Sequence, residues 1–274
     1  MTVAIIDTGV AYDFYDTPFL YNARGEFHGE LGISGWDFIN KDYDPKDDNG
    51  HGTSVTKIIT DALHLFEVPY QIIPIKSFDQ DGKGTYFDIV CGMNYASKIA
   101  NIDIVNMSFG WYGMRDQSII TTIMKERQDI LYVTSAGNSG IDVDNTPEFN
   151  HFPSGFELDN VIGVAGYHAE SVPSDNVDEI TTNISLKFSN YGIKSIDIVA
   201  PLNGYELVLQ SDHDYLELTP EGTSFSAAFT TARAGKLKSM GFVGTDLKLK
   251  MLDEALFVPI LLDKTTTGRI LMKE

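Results

Sequence analysis

The chain has 274 residues, 43 % hydrophobic and 22 % charged, an ordinary globular balance rather than that of a disordered segment, and is long enough to bury one large core. Twenty Lys and Arg against 39 Asp and Glu give a net charge of −19, which removes the basic footprint that nucleic-acid binding needs and repels anionic membranes. A single cysteine excludes an intramolecular disulfide and a cysteine-built zinc site, and no apolar run approaches the ~18 residues of a membrane-crossing helix.

Met1–Ile6 lacks the basic start and long apolar run of a signal peptide. Val3–Ile6 reads as the first buried strand and runs straight into Asp7-Thr8-Gly9. An acidic stretch with Asp42, Asp44, Asp47 and Asp48 offers oxygen ligands for calcium, although a solvated loop is its plainer reading. Asp48-Asn49-Gly50-His51-Gly52-Thr53 then sets a histidine between two glycines at the entry to a helix over Thr53–Leu65. The other histidines, His28, His64, His151, His168 and His213, lack such a setting and suit surface or core roles.

Gln71–Lys76 is the next strand. A glycine-rich link, Asp81-Gly82-Lys83-Gly84, leads into a helix over Thr85–Ala100, on which Cys91 is expected as a small buried apolar side chain. Strand Ile102–Met107, helix Gln117–Gln128 and strand Ile130–Val133 follow, the last running into Ser135-Ala136-Gly137-Asn138-Ser139-Gly140. Val161–Ala165 and Ile196–Ala200 are further strands. Glu221-Gly222-Thr223-Ser224 opens a helix over Ser224–Met240, and a last helix covers Thr245–Leu256. The strands are continuous and β-branched rather than alternating, as parallel strands covered on both faces must be. Strands alternating with helices imply a parallel sheet with right-handed crossovers, and ligand chemistry beyond its carboxyl ends.

Asp7, His51, Asn138 and Ser224 all fall where that rule puts functional groups. Taken singly, each has an ordinary reading: an Asp-capped turn, a helix start, a turn asparagine, a serine cap. A lone Asp-Thr-Gly cannot supply the paired carboxylates of an aspartic protease. A serine at a helix N-terminus can instead be a nucleophile whose own N–H faces a developing oxyanion, and an asparagine on a strand-end loop can offer its NH₂ to the same oxygen.

In the order Asp7, His51, Asn138, Ser224 the segments resemble a subtilisin-family serine protease, a subtilase. Further segments in register are Val105-Asn106-Met107-Ser108-Phe109-Gly110, Phe152-Pro153-Ser154, Phe188-Ser189-Asn190-Tyr191-Gly192, Val199-Ala200-Pro201 and Thr267-Gly268-Arg269-Ile270-Leu271, so the likeness runs from about Val3 to Leu271. The resemblance implies an α/β fold of three layers, a central, mostly parallel twisted sheet flanked by helices. It implies a single peptidase domain over 1–274, N-terminally short, with no propeptide or accessory domain.

It further implies serine endopeptidase chemistry, with Asp7, His51 and Ser224 as the triad and Asn138 with the Ser224 N–H as the oxyanion hole. A peptide or protein substrate would lie extended between Ser108-Phe109-Gly110 and Gly82–Gly84, with Tyr86 at the rim of a more distant pocket. The first pocket would be walled by Ser135-Ala136-Gly137 and Ser108-Phe109 and floored near His151, and a medium-sized apolar residue before the cut is expected. The sharper alternative is an acidic residue paired with protonated His151.

No cofactor is needed for this chemistry; a structural calcium with unassigned ligands and a separate propeptide-like inhibitor are the partners the family adds. Ser54 stands where the family commonly has a second histidine, Thr56-Lys57 are unusual there, Ala228 replaces a common proline, and Leu202 a common glycine. None of these is expected to touch the chemistry. The competing reading is a catalytically silent binding or sensor protein on the same fold.

Overall fold

The computed structural model describes residues 1–14, 35–99, 101–113, 117–172, 174–210 and 215–273. Its first strand, β1 (Thr2–Asp7), is buried along its whole length. Val3 and Ile5 point into one apolar layer with Val55, Ile59 and Phe229, while Ala4 and Ile6 point into another with Ile89, Met93 and Ile120. Every position of such a strand meets a covering layer, so an apolar-polar alternation would bury charge.

The remaining strands are β2 (Trp36–Asp37), β3 (Gln71–Lys76), β4 (Ile104–Met107), β5 (Trp111–Tyr112), β6 (Leu131–Ser135), β7 (His151–Phe152), β8 (Val161–Tyr167), β9 (Ile198–Pro201), β10 (Leu207–Gln210), β11 (Tyr215–Leu218), β12 (Leu256–Phe257) and β13 (Arg269–Ile270). Among the described residues β1 and eight of these form one nine-stranded sheet in the order β12-β13-β9-β8-β6-β4-β1-β3-β2. All neighbours in it are parallel except β12 against β13. β5 pairs with β7, and β10 with β11, as small antiparallel ladders.

The helices are α1 (His51–Leu65), α2 (Tyr86–Lys98), α3 (Ser118–Glu126), α4 (Val177–Asn183), α5 (Thr223–Ser239) and α6 (Gly244–Glu254). α1 packs on α5, and α5 lies across β4, β6, β8 and β9. α2 and α3 cover the other face through Ile89, Met93, Ile120 and Met124. Helix, sheet and helix make the three expected layers.

The long elements fall within a few residues of their expected bounds. The helix from Thr85 begins with a reciprocal cap, the Thr85 hydroxyl accepting from Asp88 N–H while the Asp88 carboxylate accepts from Thr85 N–H. The expected end of that helix at Ala100, and His28 and His213, lie outside the described residues. α5 runs unbroken through Ala228, as a good helix former should. Cys91 departs from expectation: it is half-buried on α2, and partial burial pushes its thiol pKa up.

Candidate active site

Asp7 ends β1 with 2 % exposure, and one of its oxygens, Oδ1, accepts from Thr8 N–H at 2.7 Å. The same oxygen lies 2.7 Å from His51 Nδ1. A carboxylate only accepts, so Nδ1 carries the proton and Nε2 is left with a free lone pair. His51 reaches this spot because α1 begins there. Gly50, with φ +102°, turns the chain into the helix, and Gly52 lets it approach β1, since a Cβ there would sit 2.2 Å from the Gly9 carbonyl oxygen.

Asp47, read from the sequence as loop or calcium ligand, organises this turn. Its Oδ1 accepts from Thr8 Oγ1, Asn49 N–H and Gly50 N–H, and its Oδ2 from Thr53 N–H and Oγ1. Burial raises the Asp47 pKa, but the donors at Gly50, Thr53 and Asn49 outweigh it and hold the carboxyl below its usual range. Thr8 completes the link by accepting from Gly52 N–H at 2.9 Å. For His51, burial disfavours the charged ring, but Asp7's charge and hydrogen bond, with Asp47's charge, outweigh it and raise its pKa above the ordinary value.

Lys76 is fully buried at the end of β3, beside Asp7 in the parallel register. Its ammonium donates to the Thr8 carbonyl at 2.7 Å, the Phe78 carbonyl at 3.0 Å and Asp48 Oδ1 at 2.5 Å, tying three site loops together. Asp47 and Asp48 thus carry internal bonds, and among the described residues no group of three or more His, Cys, Asp or Glu could hold a metal ion.

Ser224 is the second residue of α5. Its hydroxyl donates to the Ser108 carbonyl at 2.9 Å, while the Ser108 hydroxyl donates to the Ser224 carbonyl at 2.8 Å. In this conformer the Ser224 proton therefore goes to Ser108 rather than to His51 Nε2; the two loops are nevertheless stitched together, with Phe225 5.6 Å from the His51 ring between centroids. Asn138 lies just after β6. Its Oδ1 accepts from Thr223 N–H at 2.9 Å and from Thr223 Oγ1 at 3.0 Å, and Thr223 Oγ1 accepts from Gly137 N–H at 3.0 Å. With its oxygen held, the Asn138 NH₂ is turned away from Thr223 and free to donate. Sequence reasoning gave no role to Thr223, Thr8 and Lys76, and read Asp47 only as part of an acidic loop or a calcium ligand. A lysine closing an otherwise apolar buried strand was the one strong signal available, because a buried ammonium demands partners.

A cavity of about 310 Å³ opens beside this group, lined by Asp7, Thr8, Asn49, His51, Phe78, Gly82, Ser108, Phe109 and Gly110. It gathers four of the expected substrate residues: Gly82, Ser108, Phe109 and Gly110. Gly84 instead packs on the Ser77 carbonyl, and Tyr86 on Trp111 at 5.9 Å. Ser135, Ala136 and His151 are buried, and Gly137 is bonded to Thr223. Among the described residues His151 has no carboxylate partner: its Nδ1 pairs with Ser154 Oγ at 2.8 Å. Burial pushes its pKa down to about 4, which disfavours the protonated ring that the alternative of an acidic residue before the cut calls for. The unusual Ser54 and Thr56 hydroxyls donate back to the Gly50 and Gly52 carbonyls, and Lys57 pairs with Asp61. Leu202 is buried against Gly166.

Residues 1–255 match the family described as Peptidase_S8, Subtilase family. A thermophilic serine proteinase of Bacillus sp. (strain AK1) is 28 % identical over 252 residues, which are 87 % of this chain and 52 % of the relative. Thermitase of Thermoactinomyces vulgaris is 24 % identical over 254 residues, 90 % of this chain and 77 % of the relative. The chain thus spans about half the length of the first of these. Among solved structures, a cold adapted subtilisin-like serine proteinase superposes with a TM-score of 0.73 at 22 % identity, covering 100 % of this chain and 88 % of that one.

Proposed function

Starting from a chain that belongs to the subtilase family of serine proteases, we propose that it is an endopeptidase in which Ser224 is the nucleophile, His51 the general base and Asp7 the group that orients the base and stabilises its charged form. The observation that carries this reading is the 2.7 Å bond from Asp7 to His51 Nδ1. It fixes the tautomer that leaves Nε2 as acceptor, in a cavity whose wall, Ser108, is bonded to Ser224.

A rotation of the Ser224 side chain releases the Ser108 carbonyl and turns the hydroxyl toward Nε2. Oγ then attacks the scissile carbonyl carbon as its proton passes to His51. The carbonyl oxygen becomes an oxyanion held by Asn138 NH₂ and by the Ser224 N–H, one of the unpaired donors of the first turn of α5. His51 returns the proton to the leaving amine, and water repeats the sequence to release the acyl group. Ser108–Gly110, exposed at its far end, offers main-chain partners to an extended peptide. The substrate is a peptide or protein. Phe78 and Phe109, with ring centroids 4.8 Å apart, give the cavity an apolar wall.

The test is cleavage of a peptide blocked at both termini, followed by mass spectrometry of its fragments. Wild type is expected to cut internal bonds and Ser224→Ala to cut none. Trimming from an unblocked end alone would overturn the endopeptidase assignment, and a folded wild type that cuts nothing in a broad peptide library would support a silent binding protein.

A further inference from the structure

The small strand pair β5–β7 places Tyr112 opposite His151, and the two rings meet edge to face at 5.0 Å. The imidazole is wedged between two backbone segments that adjoin the reacting groups. A Cβ on Gly110 would lie 2.1 Å from His151 Cε1 and 2.3 Å from Nε2; one on Gly137 would lie 2.9 Å from Nε2. Gly110 is two residues beyond Ser108, the partner of Ser224, and Gly137 directly precedes Asn138. The ring therefore fills the gap between the two segments to van der Waals contact.

The wedge is also held. Asn190, itself fully buried, donates to Tyr112 Oη at 2.6 Å and to the Ala136 carbonyl at 2.8 Å, and accepts from Ser139 N–H at 3.0 Å. Tyr112 Oη in turn donates to Ser139 Oγ at 2.9 Å. With Nδ1 tied to Ser154, a swing of the ring out of the gap would break packing on both glycines.

A substrate carbonyl with its carbon at Ser224 and its oxygen at Asn138 is fixed at both ends. The side chain on its own Cα then points into the gap between the 108–110 and 135–138 segments. The next side chain back, by the alternation of an extended strand, points to the opposite side, over the His51 cavity. That cavity is open; the gap is not.

We infer that His151 closes the first specificity pocket, so that this chain cuts after glycine, alanine or serine and selects its substrates through the residues that enter the cavity between His51, Gly82 and Phe109. The inference rests on the serine-protease reading above and replaces the medium-sized apolar residue expected from the sequence. Burial disfavours the charged ring, so it wedges by shape.

The experiment uses fluorogenic tetrapeptide amides that differ only in the last residue: Gly, Ala, Leu, Phe or Glu. Wild type is expected to favour Ala over Leu and Phe in kcat/KM by about 10–200-fold, the range one or more misfitting methylenes command. His151→Ala is expected to raise kcat/KM for Leu and Phe, relative to that for Ala, at least about tenfold. His151→Asn, which keeps a polar partner for Ser154, is the second variant and should show the same trend more weakly. Fluorophosphonate labelling of Ser224 runs in parallel. A wild type that labels and cuts after Leu or Phe as fast as after Ala overturns the inference while leaving the protease reading intact. A folded wild type that neither labels nor cuts overturns both.

Discussion

His51 heads α1 with a carboxylate oxygen 2.7 Å from its Nδ1, whereas His151 lies on β7 with a serine hydroxyl 2.8 Å from the same atom. Both approach the group formed by Ser108, Asn138 and Ser224. The first ring borders a cavity with 32 % of its side chain exposed and its pKa is raised; the second is 3 % exposed and its pKa falls to about 4. The chemistry of the side chain is identical, so the partner and the water around it decide the role. A carboxylate beside a ring that still meets solvent makes a base; a hydroxyl beside a ring packed on two glycines makes a wedge.

Removing the carboxylate should break the comparison most severely. Asp7→Asn is expected to lower kcat by about 10⁴-fold, because the wrong tautomer is then favoured. It should also lower the midpoint of the acid limb of kcat/KM, since the raised His51 pKa depends on that charge. Wild type should show this midpoint above 6.5, as activity needs neutral His51 and appears only as pH rises through the raised value. Asn138→Ala comes next, with kcat down by about 10²–10³-fold, a figure that comes from a subtilisin, and KM nearly unchanged in steady-state assays.

The wedge sets the third effect. His151 stays neutral in the fold down to about pH 4 but takes a proton near 6.5 when unfolded. The unfolded state therefore binds more protons between those values, and stability is lost as pH falls from 6.5 to 4. About 3 kcal/mol is at stake over that interval. Chemical denaturation at several pH values should show this slope in wild type and a shallower one in His151→Gln; equal slopes would deny the neutral buried ring. The smallest effect belongs to Thr223→Val, which leaves Gly137 N–H and Asn138 Oδ1 short of a hydroxyl. A loss of about tenfold in kcat, worth ~1.4 kcal/mol, is expected with the pH midpoint unmoved.

Much of this was legible in the sequence for physical reasons. The buried strands declare themselves because both faces of a parallel sheet must be apolar, α1 because its apolar stripe is long, and α5 because small and apolar residues fill almost every side of it. Asp7, His51, Asn138 and Ser224 stand at strand ends and helix starts, where one chain can place such groups together. The supporting hydrogen bonds were not legible. Asp47 looks like any acid in an acidic loop until its carboxylate is seen to meet Thr8, Asn49, Gly50 and Thr53 at once. Thr223 looks like a helix-start threonine until Gly137 and Asn138 close on it from 86 and 85 residues away. β5 and β7, two residues each, have too little pattern to read, and they carry His151 into the gap. Spacing along a chain conveys which residues exist near a site, but the filling of a pocket depends on contacts between segments far apart in sequence.

The account stands or falls on His51, and not His151, activating Ser224. The most direct measurement is the rate of fluorophosphonate labelling at Ser224 across pH 5 to 9, in wild type and in His151→Gln. A single ionisation with a midpoint above 6.5 is expected in both proteins, with Ser224→Ala unlabelled. A folded wild type that does not label, or a midpoint that moves when His151 is replaced, would contradict it.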